Sequence, residues 1–396
     1  MNTAVHWHDW PSDGRARRND LEFVHSTSAS TVETVLNFIR HSLPFDNENR
    51  WSDLLAVLIE RDPSAAAAAF DWAEAEITVT REAPGGGRDR IDIVAVAGDD
   101  LVGVIEVKVL GVLGRGQLER YRRARPNAQR YAVVFPNRMP VTATGDWRPI
   151  TWESVLDAFV SSSVPWVAET AIAWREHLDD SLPRVGATTV WNQFVAGENF
   201  PLAVRARCSW VYNELDSPAG VELAIVQSGA GVSPVVKMSV PAAADGYRVA
   251  IEFEERLDSR EWPLHAPDPA PKVRGPSVKV CLVQTGVGTS AGFDWDYLFA
   301  LWPTMDAARA DWVTGTPKPR ATHDKAGYAR IVAAGAPKFL GIGFGDAQAK
   351  KSNDCMFGAR IQLAADITLG ELVVVMKDFE TLLQDLSVVP HLTTSK

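Results

Sequence analysis

Three charged residues interrupt two short apolar runs in the N-terminal half of the chain. The first run covers residues 90–97 and contains Asp92, whereas the second covers residues 101–110 and contains Glu106 and Lys108. A Gly-Asp-Asp turn separates the runs, and β-branched residues are frequent in the second, so the pattern predicts the two strands of a hairpin. Charged side chains are rarely buried without a partner, so these three positions constrain the fold more than any other feature.

A divalent cation is a partner that suits this set of side chains. Glu106 and Lys108 are two positions apart, and such residues project from the same face of a strand. Two carboxylates on adjacent strands, from Asp92 and Glu106, can share one Mg²⁺ or Mn²⁺, and the carbonyl of Val107 is a further candidate ligand. The cation would lower the pKa of a bound water, while Lys108 would orient that water or neutralise developing charge. The pattern therefore predicts metal-assisted hydrolysis.

The same stretch resembles the signature of a nuclease superfamily. Asp92 followed by Glu106-Val107-Lys108 is similar to the D-(x)n-E-x-K pattern of the PD-(D/E)xK, or restriction-endonuclease-like, nucleases. Residues 117–121 read Gln-Leu-Glu-Arg-Tyr, which resembles the Q-x3-Y motif of the RecB-type and CRISPR-associated exonuclease branches and the QLxRY helix of bacterial defence-type nucleases. Ile91 stands where many members have proline, which is not a ligand. The resemblance extends over residues 45–159.

The resemblance implies a function and roles for further residues. Such a protein would be a Mg²⁺-dependent nuclease that cuts phosphodiester bonds of DNA, in defence against foreign DNA or in DNA repair. Gln117 and Tyr121 would support the geometry of the substrate or the metal. The family core begins with a helix that carries a glutamate near its start; Glu48 is the best positional match, and Glu60 is its rival. Glu48 would contact a ligand of the metal or a second metal ion. The alternative for Glu48 is a structural role, because a carboxylate at a helix start interacts favourably with the helix macrodipole.

A structural interpretation of the same charged residues stays open. Glu106 and Lys108 would then form a solvated ion pair on an edge strand, with Asp92 at a strand start. The metal site is favoured because both acids fall on predicted strands, a Gly-rich turn precedes Asp92, and Gln117 opens the next helix. The alternative function is a catalytically silent nuclease-fold scaffold that binds nucleic acid or a protein partner.

The distribution of charge bears on the partner. The formal net charge is −10, which argues mildly against a protein that coats nucleic acid non-specifically. Locally, however, the segment after Lys108 is rich in arginine, and four of its residues are candidates for nucleic-acid contacts: Arg115, Arg120, Arg122 and Arg123. Such a run either places positive charge beside the metal or forms a solvated helix face.

Composition places the chain among soluble globular proteins, with 46% hydrophobic and 23% charged residues. No run approaches the roughly 18 apolar residues that cross a bilayer, and no secretory signal is visible. The three cysteines are scattered and form neither a disulfide framework nor a zinc spacing, so we expect a reducing, cytoplasmic environment.

Hydrophobic periodicity predicts an α/β fold in two parts. The order α-β-β-β-α-β, a mixed sheet flanked by helices, is what a restriction-endonuclease-like core requires. A Ser-rich and Pro-containing break at residues 161–165 suggests a boundary. We therefore expect an N-terminal extension (1–30), a nuclease-like domain (31–162) and an accessory α+β domain of unknown function (166–396). The last of these offers a surface for a protein partner or a second copy.

Predicted elements of the first part are helices at 31–41, 51–60, 65–73, 117–124 and 152–160, and strands at 76–81, 90–97, 101–110, 129–135 and 146–151. Predicted elements of the second part are helices at 166–182, 188–196, 203–215, 295–312 and 369–386, and strands at 221–227, 235–240, 247–254, 277–284, 339–343 and 359–364. Together these strands predict an antiparallel sheet in the second part.

Overall fold

The computed structural model of this chain describes most of its 396 residues. The described residues are 29–45, 47–73, 75–86, 89–111, 113–114, 116–139, 141, 143, 145–195, 199–216, 219–227, 234–254, 275–309, 312, 325–344 and 353–391. Within them the chain is a mixed α/β protein with ten α-helices and two β-sheets, one of which is mixed. In the same ranges, no helix combines the length and the apolar character that a bilayer crossing requires.

Five strands form the first sheet. They are β1 (Thr78–Pro84), β2 (Arg90–Ala97), β3 (Asp100–Val107), β4 (Arg130–Phe135) and β5 (Trp147–Thr151). The strands lie in chain order; β1, β2 and β3 pair antiparallel, whereas β3, β4 and β5 pair parallel. β3 is therefore the central strand, and the interpretation that placed Glu106 and Lys108 on a solvated edge is wrong.

Six helices surround this sheet. They are α1 (Ala29–Ser42), α2 (Glu48–Arg61), α3 (Pro63–Phe70), α4 (Gln117–Ala124), α5 (Trp152–Val160) and α6 (Pro165–Ser181). Side-chain caps fix two of their starts: Asp62 accepts a hydrogen bond from Ala65 N at 2.9 Å before α3, and Thr151 accepts one from Ser154 N at 3.1 Å before α5. α4 carries the chain from β3 to the parallel strand β4, as such a crossover requires.

The helices pack against the first sheet through two apolar clusters. The larger cluster joins α1, α2, α3, α5 and α6 to the sheet around three fully buried tryptophans, Trp51, Trp152 and Trp174. The smaller cluster packs Leu118 and Tyr121 of α4 against the sheet. Burial from both sides explains why β2 to β4 are almost continuously apolar and why the charged residues among them stand out.

The second sheet has six strands. They are β6 (Glu222–Gln227), β7 (Pro234–Pro241), β8 (Tyr247–Glu254), β9 (Ser277–Thr285), β10 (Ile342–Phe344) and β11 (Asp354–Gln362). Their order is β10-β11-β9-β8-β7-β6, and every pair is antiparallel, as the sequence predicts. The helices of this part, which share one large apolar cluster with the sheet, are α7 (Phe200–Glu214), α8 (Trp295–Ala308), α9 (Lys325–Ala333) and α10 (Leu369–Ser387).

Two helices connect the parts more closely than the predicted boundary at 161–165 suggests. Trp174 and Leu178 of α6 are fully buried in the first apolar cluster, so this helix packs with the first sheet. α7 packs on both sides: Leu202 belongs to the first cluster, whereas Val204 belongs to the cluster of the second sheet.

Several predicted elements differ from the structure. The described part of the helix predicted at 188–196 is not helical, because Val190 pairs with Thr368 in an isolated β-bridge and Trp191 N bonds to Ile367 O at 2.8 Å. α9 was not predicted, since Gly327 within it interrupts the helical pattern.

Several element boundaries also differ from the prediction. The strand predicted at 359–364 starts earlier, at Asp354, and the one predicted at 339–343 is the short β10, preceded by a turn. The helix predicted to reach residue 312 ends at Ala308.

Candidate active site

The three charged residues of the β2–β3 hairpin converge in the structure. Lys108 Nζ lies 2.6 Å from Glu106 Oε1, and these residues are only 7% and 1% exposed. The Asp92 carboxylate, from the neighbouring strand, accepts a hydrogen bond from Val107 N through Oδ2 at 2.7 Å. Lys108 Nζ also donates to Val107 O at 3.0 Å. The predicted acids, ammonium and carbonyl therefore form one buried cluster.

Glu48 joins this cluster, and Glu60 does not. The Glu48 carboxylate accepts from Lys108 Nζ at 3.1 Å, from Val109 N at 2.8 Å and from Gly111 N at 2.9 Å. Glu60, at the other end of α2, accepts from Val79 N at 3.0 Å instead. β3 also ends at Val107, earlier than predicted: Lys108 N still bonds to Val134 O at 2.8 Å, but the N–H groups of Val109 and Gly111 are directed to Glu48.

The two residues of the Q-x3-Y motif lie beside Glu106. Gln117 Nε2 is 2.7 Å from Glu106 Oε1 and 2.8 Å from the Tyr121 hydroxyl, and Gln117 Oε1 accepts from Gly114 N at 2.8 Å. The Tyr121 hydroxyl donates to Arg90 O. Because residues four apart lie on one face of a helix, α4 presents both side chains to the carboxylate. They hold Glu106 in a fixed orientation.

Burial and the neighbouring charges shift the pKa values of the clustered groups. Burial, together with the carboxylates of Asp92 and Glu48, raises the pKa of Glu106 to about 8 against the opposing charge of Lys108. Burial also raises the pKa of Asp92. Burial alone would lower the pKa of Lys108, but the charges of Glu106, Glu48 and Asp92 hold it above its usual value. The ammonium is therefore permanent, whereas Glu106 exchanges its proton near neutral pH.

The pKa of Glu48 moves in the opposite direction from that of Glu106. Burial alone would raise it, but the Lys108 ammonium and the N–H donors of Val109 and Gly111 hold it below its usual value. Three carboxylates thus face one ammonium. Such an excess of buried carboxylates is compensated by protonation or by a cation.

The cluster has the donor set that a hard divalent cation requires. Glu106 Oε2 is buried and has no hydrogen-bond partner among the described groups. Together with Asp92 and the Val107 carbonyl, it presents the carboxylate and carbonyl oxygens that Mg²⁺ and Mn²⁺ prefer. Nowhere in the described ranges do three or more His, Cys, Asp or Glu side chains surround one metal position. A cation held by these groups would complete its coordination with water and substrate, which is usual for Mg²⁺.

The arginines of α4 are less available than their number suggests. Arg120 is paired with Asp89, and Arg122 with Asp146 at 2.6 Å. Arg123 is exposed, and Arg115 lies outside the described residues. Asp146 is far from α4 in the sequence, so only the fold reveals that it compensates this basic run.

Two residues that the sequence did not single out complete the surroundings. Trp152 Nε1 donates to Lys108 O at 3.0 Å and joins the end of β3 to α5. Arg81 donates to Asp92 O at 2.9 Å and to Asn49 O at 3.0 Å, so it ties β2 to the start of α2. The only sequence feature that points to Arg81 is its place at the end of a predicted strand. No sequence feature indicates the contact that Trp152 makes with Lys108.

Comparisons with known proteins did not identify a relative. No family model matches the chain, and neither the curated proteins nor the solved structures gave a significant match. The chemistry of this site is therefore inferred from its own geometry and from the resemblance of its motifs.

Proposed function

We propose that this protein is a divalent-metal-dependent nuclease that hydrolyses phosphodiester bonds of DNA. The observation that carries the proposal is the buried Glu106 Oε2, which has no hydrogen-bond partner among the described groups and belongs to the same cluster as Asp92 and Lys108. A buried carboxylate oxygen left in this state is costly unless a ligand or a proton satisfies it. A metal ion beside a lysine is the combination that phosphodiester hydrolysis uses.

The topology of the first sheet supports a restriction-endonuclease-like core. Antiparallel β1, β2 and β3 are followed by α4 and by the parallel strand β4. This is the element order that the resemblance implies, with the acids on adjacent strands. The fold alone would not establish the chemistry, since one fold hosts many functions.

Each residue of the site has a distinct task in this proposal. Asp92, Glu106 and the Val107 carbonyl would hold Mg²⁺ or Mn²⁺, which supplies Lewis-acid stabilisation and an activated water when bound. Lys108, with its permanent ammonium, stabilises negative charge on the attacked phosphate or orients the water. Gln117 fixes the Glu106 carboxylate, and the Tyr121 hydroxyl anchors Gln117 to the backbone of β2.

The remaining surface would serve recognition. Arg123 is exposed on α4, the helix that also carries Gln117 and Tyr121, and is suited to a phosphate contact. The part of the chain that carries the second sheet would select the substrate, or bind a protein partner or a second copy. A role in defence against foreign DNA or in DNA repair is what the motif resemblance implies for the whole protein.

A second candidate is a catalytically silent scaffold that binds nucleic acid or a protein. The observation that favours it is the direct contact of Glu106 with Lys108 at 2.6 Å, which forms without a cation. A scaffold predicts no metal-dependent chemistry and no effect of Lys108 beyond stability.

DNA cleavage distinguishes the two candidates. Circular and linear DNA, single- and double-stranded, would be incubated with Mg²⁺ or Mn²⁺ and wild-type protein, Lys108→Ala or the matched control Lys377→Ala, which changes an exposed lysine of α10. We expect metal-dependent cutting by wild type and the control and none by Lys108→Ala. Cutting of the circular substrate would identify an endonuclease. Absence of cutting on every substrate by a folded wild-type protein would reject the nuclease in favour of the scaffold.

A further inference from the structure

Glu48 differs from the other carboxylates of the site because protein donors already occupy both of its oxygens. Oε1 accepts from Val109 N at 2.8 Å and from Gly111 N at 2.9 Å, and Oε2 accepts from Lys108 Nζ at 3.1 Å. We infer that Glu48 is a positioning residue for Lys108 and the turn after it, and that the site consequently binds a single cation to which Glu48 is not a ligand. The inference rests on the proposed nuclease function and assigns a role within the same site.

The start of α2 holds Glu48 rigidly. Glu48 is the first residue of the helix, and the Arg81 guanidinium binds the neighbouring Asn49 O at 3.0 Å. One turn further on, Trp51 Nε1 donates to Pro44 O at 3.0 Å, and its ring is fully buried. Because the helix start fixes the Glu48 carboxylate, this carboxylate determines where the Lys108 ammonium and the N–H groups of Val109 and Gly111 lie.

Glu48 and Glu106 therefore have different capacities for a metal. Glu106 retains a buried oxygen without a hydrogen-bond partner among the described groups, and Glu48 does not. A metal ligated by Glu48 would have to share Oε2 with the Lys108 ammonium, 3.1 Å away, or separate the two N–H groups from Oε1. Leaving buried N–H donors unsatisfied is costly, so the arrangement disfavours such a ligand.

The geometry of the turn depends on Glu48 as well. A Cβ atom at Gly111 would lie 3.0 Å from Glu48 Oε1, closer than most side chains tolerate. Glycine at this position lets the backbone N–H approach the carboxylate. The turn then leads to Gly114 and Gln117, which binds Glu106. One carboxylate thus positions both the lysine and the segment that orients the metal-binding acid.

A metal count combined with kinetics tests this role. Mn²⁺ binding would be followed by electron paramagnetic resonance, and kcat and KM for DNA cleavage would be measured separately. The proteins would be wild type, Glu48→Gln, Gly111→Ala and the matched control Glu176→Gln, an exposed residue of α6. Glu48→Gln keeps the size and one acceptor oxygen but removes the charge; Gly111→Ala perturbs the same contact without touching an acid.

We expect one Mn²⁺ per chain in all four proteins. Residues that orient a catalytic group typically contribute about 10- to 100-fold, so kcat should fall by that factor in Glu48→Gln and by less in Gly111→Ala, with KM nearly unchanged. The control should match wild type. A KM effect without a kcat effect, or wild-type kcat in both site variants, would contradict the positioning role.

The outcomes separate this inference from the proposed function. A second Mn²⁺ in wild type that disappears in Glu48→Gln would make Glu48 a ligand and overturn the inference, while the nuclease would stand. No Mn²⁺ binding and no cleavage by wild type would overturn both. Should Glu48→Gln fail to fold, Gly111→Ala decides: unchanged kcat in that variant overturns the inference.

Discussion

Lys108 Nζ lies 2.6 Å from Glu106 Oε1 at the centre of the first sheet, and the same ammonium reaches Glu48 Oε2 at 3.1 Å. One buried ammonium thus contacts two acids, and at neutral pH its ionised partner is Glu48, because burial raises the pKa of Glu106 to about 8. The arrangement is stable only while Lys108 is present, and it leaves a carboxylate oxygen of Glu106 for another ligand. The proposed function therefore makes stability, metal binding and catalysis depend on the same few groups.

Replacing Lys108 by Met should destabilise the metal-free protein. Removing one partner of a buried ion pair typically costs about 3–5 kcal/mol, because the remaining charges lose their compensation. Urea denaturation would give the free energy of unfolding, with Lys377→Met on the exposed face of α10 as the control. Mg²⁺ should recover part of the loss in Lys108→Met, since a cation replaces the missing charge. Equal stability of Lys108→Met and wild type would show that the ion pair is not buried in solution.

Binding of a metal should release a proton. Burial and the neighbouring carboxylates raise the pKa of Glu106 to about 8, so the folded protein holds a proton at neutral pH that a metal displaces. Calorimetry of Mn²⁺ binding in buffers of different ionisation enthalpy should therefore detect release of about one proton near neutral pH, and less in alkaline buffer. Binding without proton release at neutral pH would contradict the raised pKa.

The metal-free protein should become less stable as the pH rises towards 8. The folded pKa of Glu106, about 8, lies above that of a free glutamate, so the unfolded chain loses this proton first and the folded state binds more protons in between. The free energy of unfolding contributed by Glu106 therefore falls from weakly acidic pH up to about 8. Glu106→Gln should reduce this slope, which urea denaturation at several pH values would measure. An unchanged slope would assign the pH dependence to other groups.

Gln117 should affect cleavage more strongly than its position on a short helix suggests. It joins Glu106 to Tyr121 and Gly114, so Gln117→Ala frees the carboxylate to rotate. Loss of an orienting partner of a metal ligand typically lowers metal affinity or activity by about 10- to 100-fold. Gln129→Ala, at an exposed position before β4, is the matched control. Activity of Gln117→Ala equal to that of the control would remove Gln117 from the site.

Two neighbouring arginines of α4 should differ in their effect on DNA binding. Arg123 is exposed, whereas Arg122 is paired with Asp146 at 2.6 Å. If Arg123 contacts a phosphate, Arg123→Ala should weaken binding for all sequences and reduce the salt slope by about one. Arg122→Ala should have a smaller effect, and Asp146→Asn should strengthen binding. Fluorescence anisotropy at several salt concentrations, without metal, would measure this, and equal slopes for the two arginine variants would argue against the distinction.

The sequence predicts the local parts of this site well. Asp92, Glu106 and Lys108 fall on two adjacent strands joined by a short turn, and Gln117 and Tyr121 lie one helical turn apart, so their proximity follows from local periodicity. Glu48 was selected because it precedes an apolar helix, but its three donors were not foreseeable. They depend on how α2 meets the turn after β3.

Contacts between distant segments explain what the sequence did not predict. Asp146 pairs with Arg122, and Trp152 Nε1 donates to Lys108 O at the end of β3; the predicted strand and helix that begin at these residues indicate neither contact. The helix expected at 188–196 was displaced by pairing of Val190 with Thr368, a case of tertiary contact overriding local propensity. The sequence predicts the helix α6 but not its packing against the first sheet. Periodicity identifies the buried face of a helix and not the element that covers this face.

The proposed nuclease activity depends on binding of a divalent cation by Asp92 and Glu106. Its most direct test is the melting temperature of wild type and Asp92→Asn as Mn²⁺ is added. A ligand that binds only the folded state at about 100 times its Kd stabilises that state by roughly 2.7 kcal/mol. We therefore predict a progressive rise in the melting temperature of wild type and none in Asp92→Asn. An identical response of the two proteins, or no response of either, would contradict the metal site.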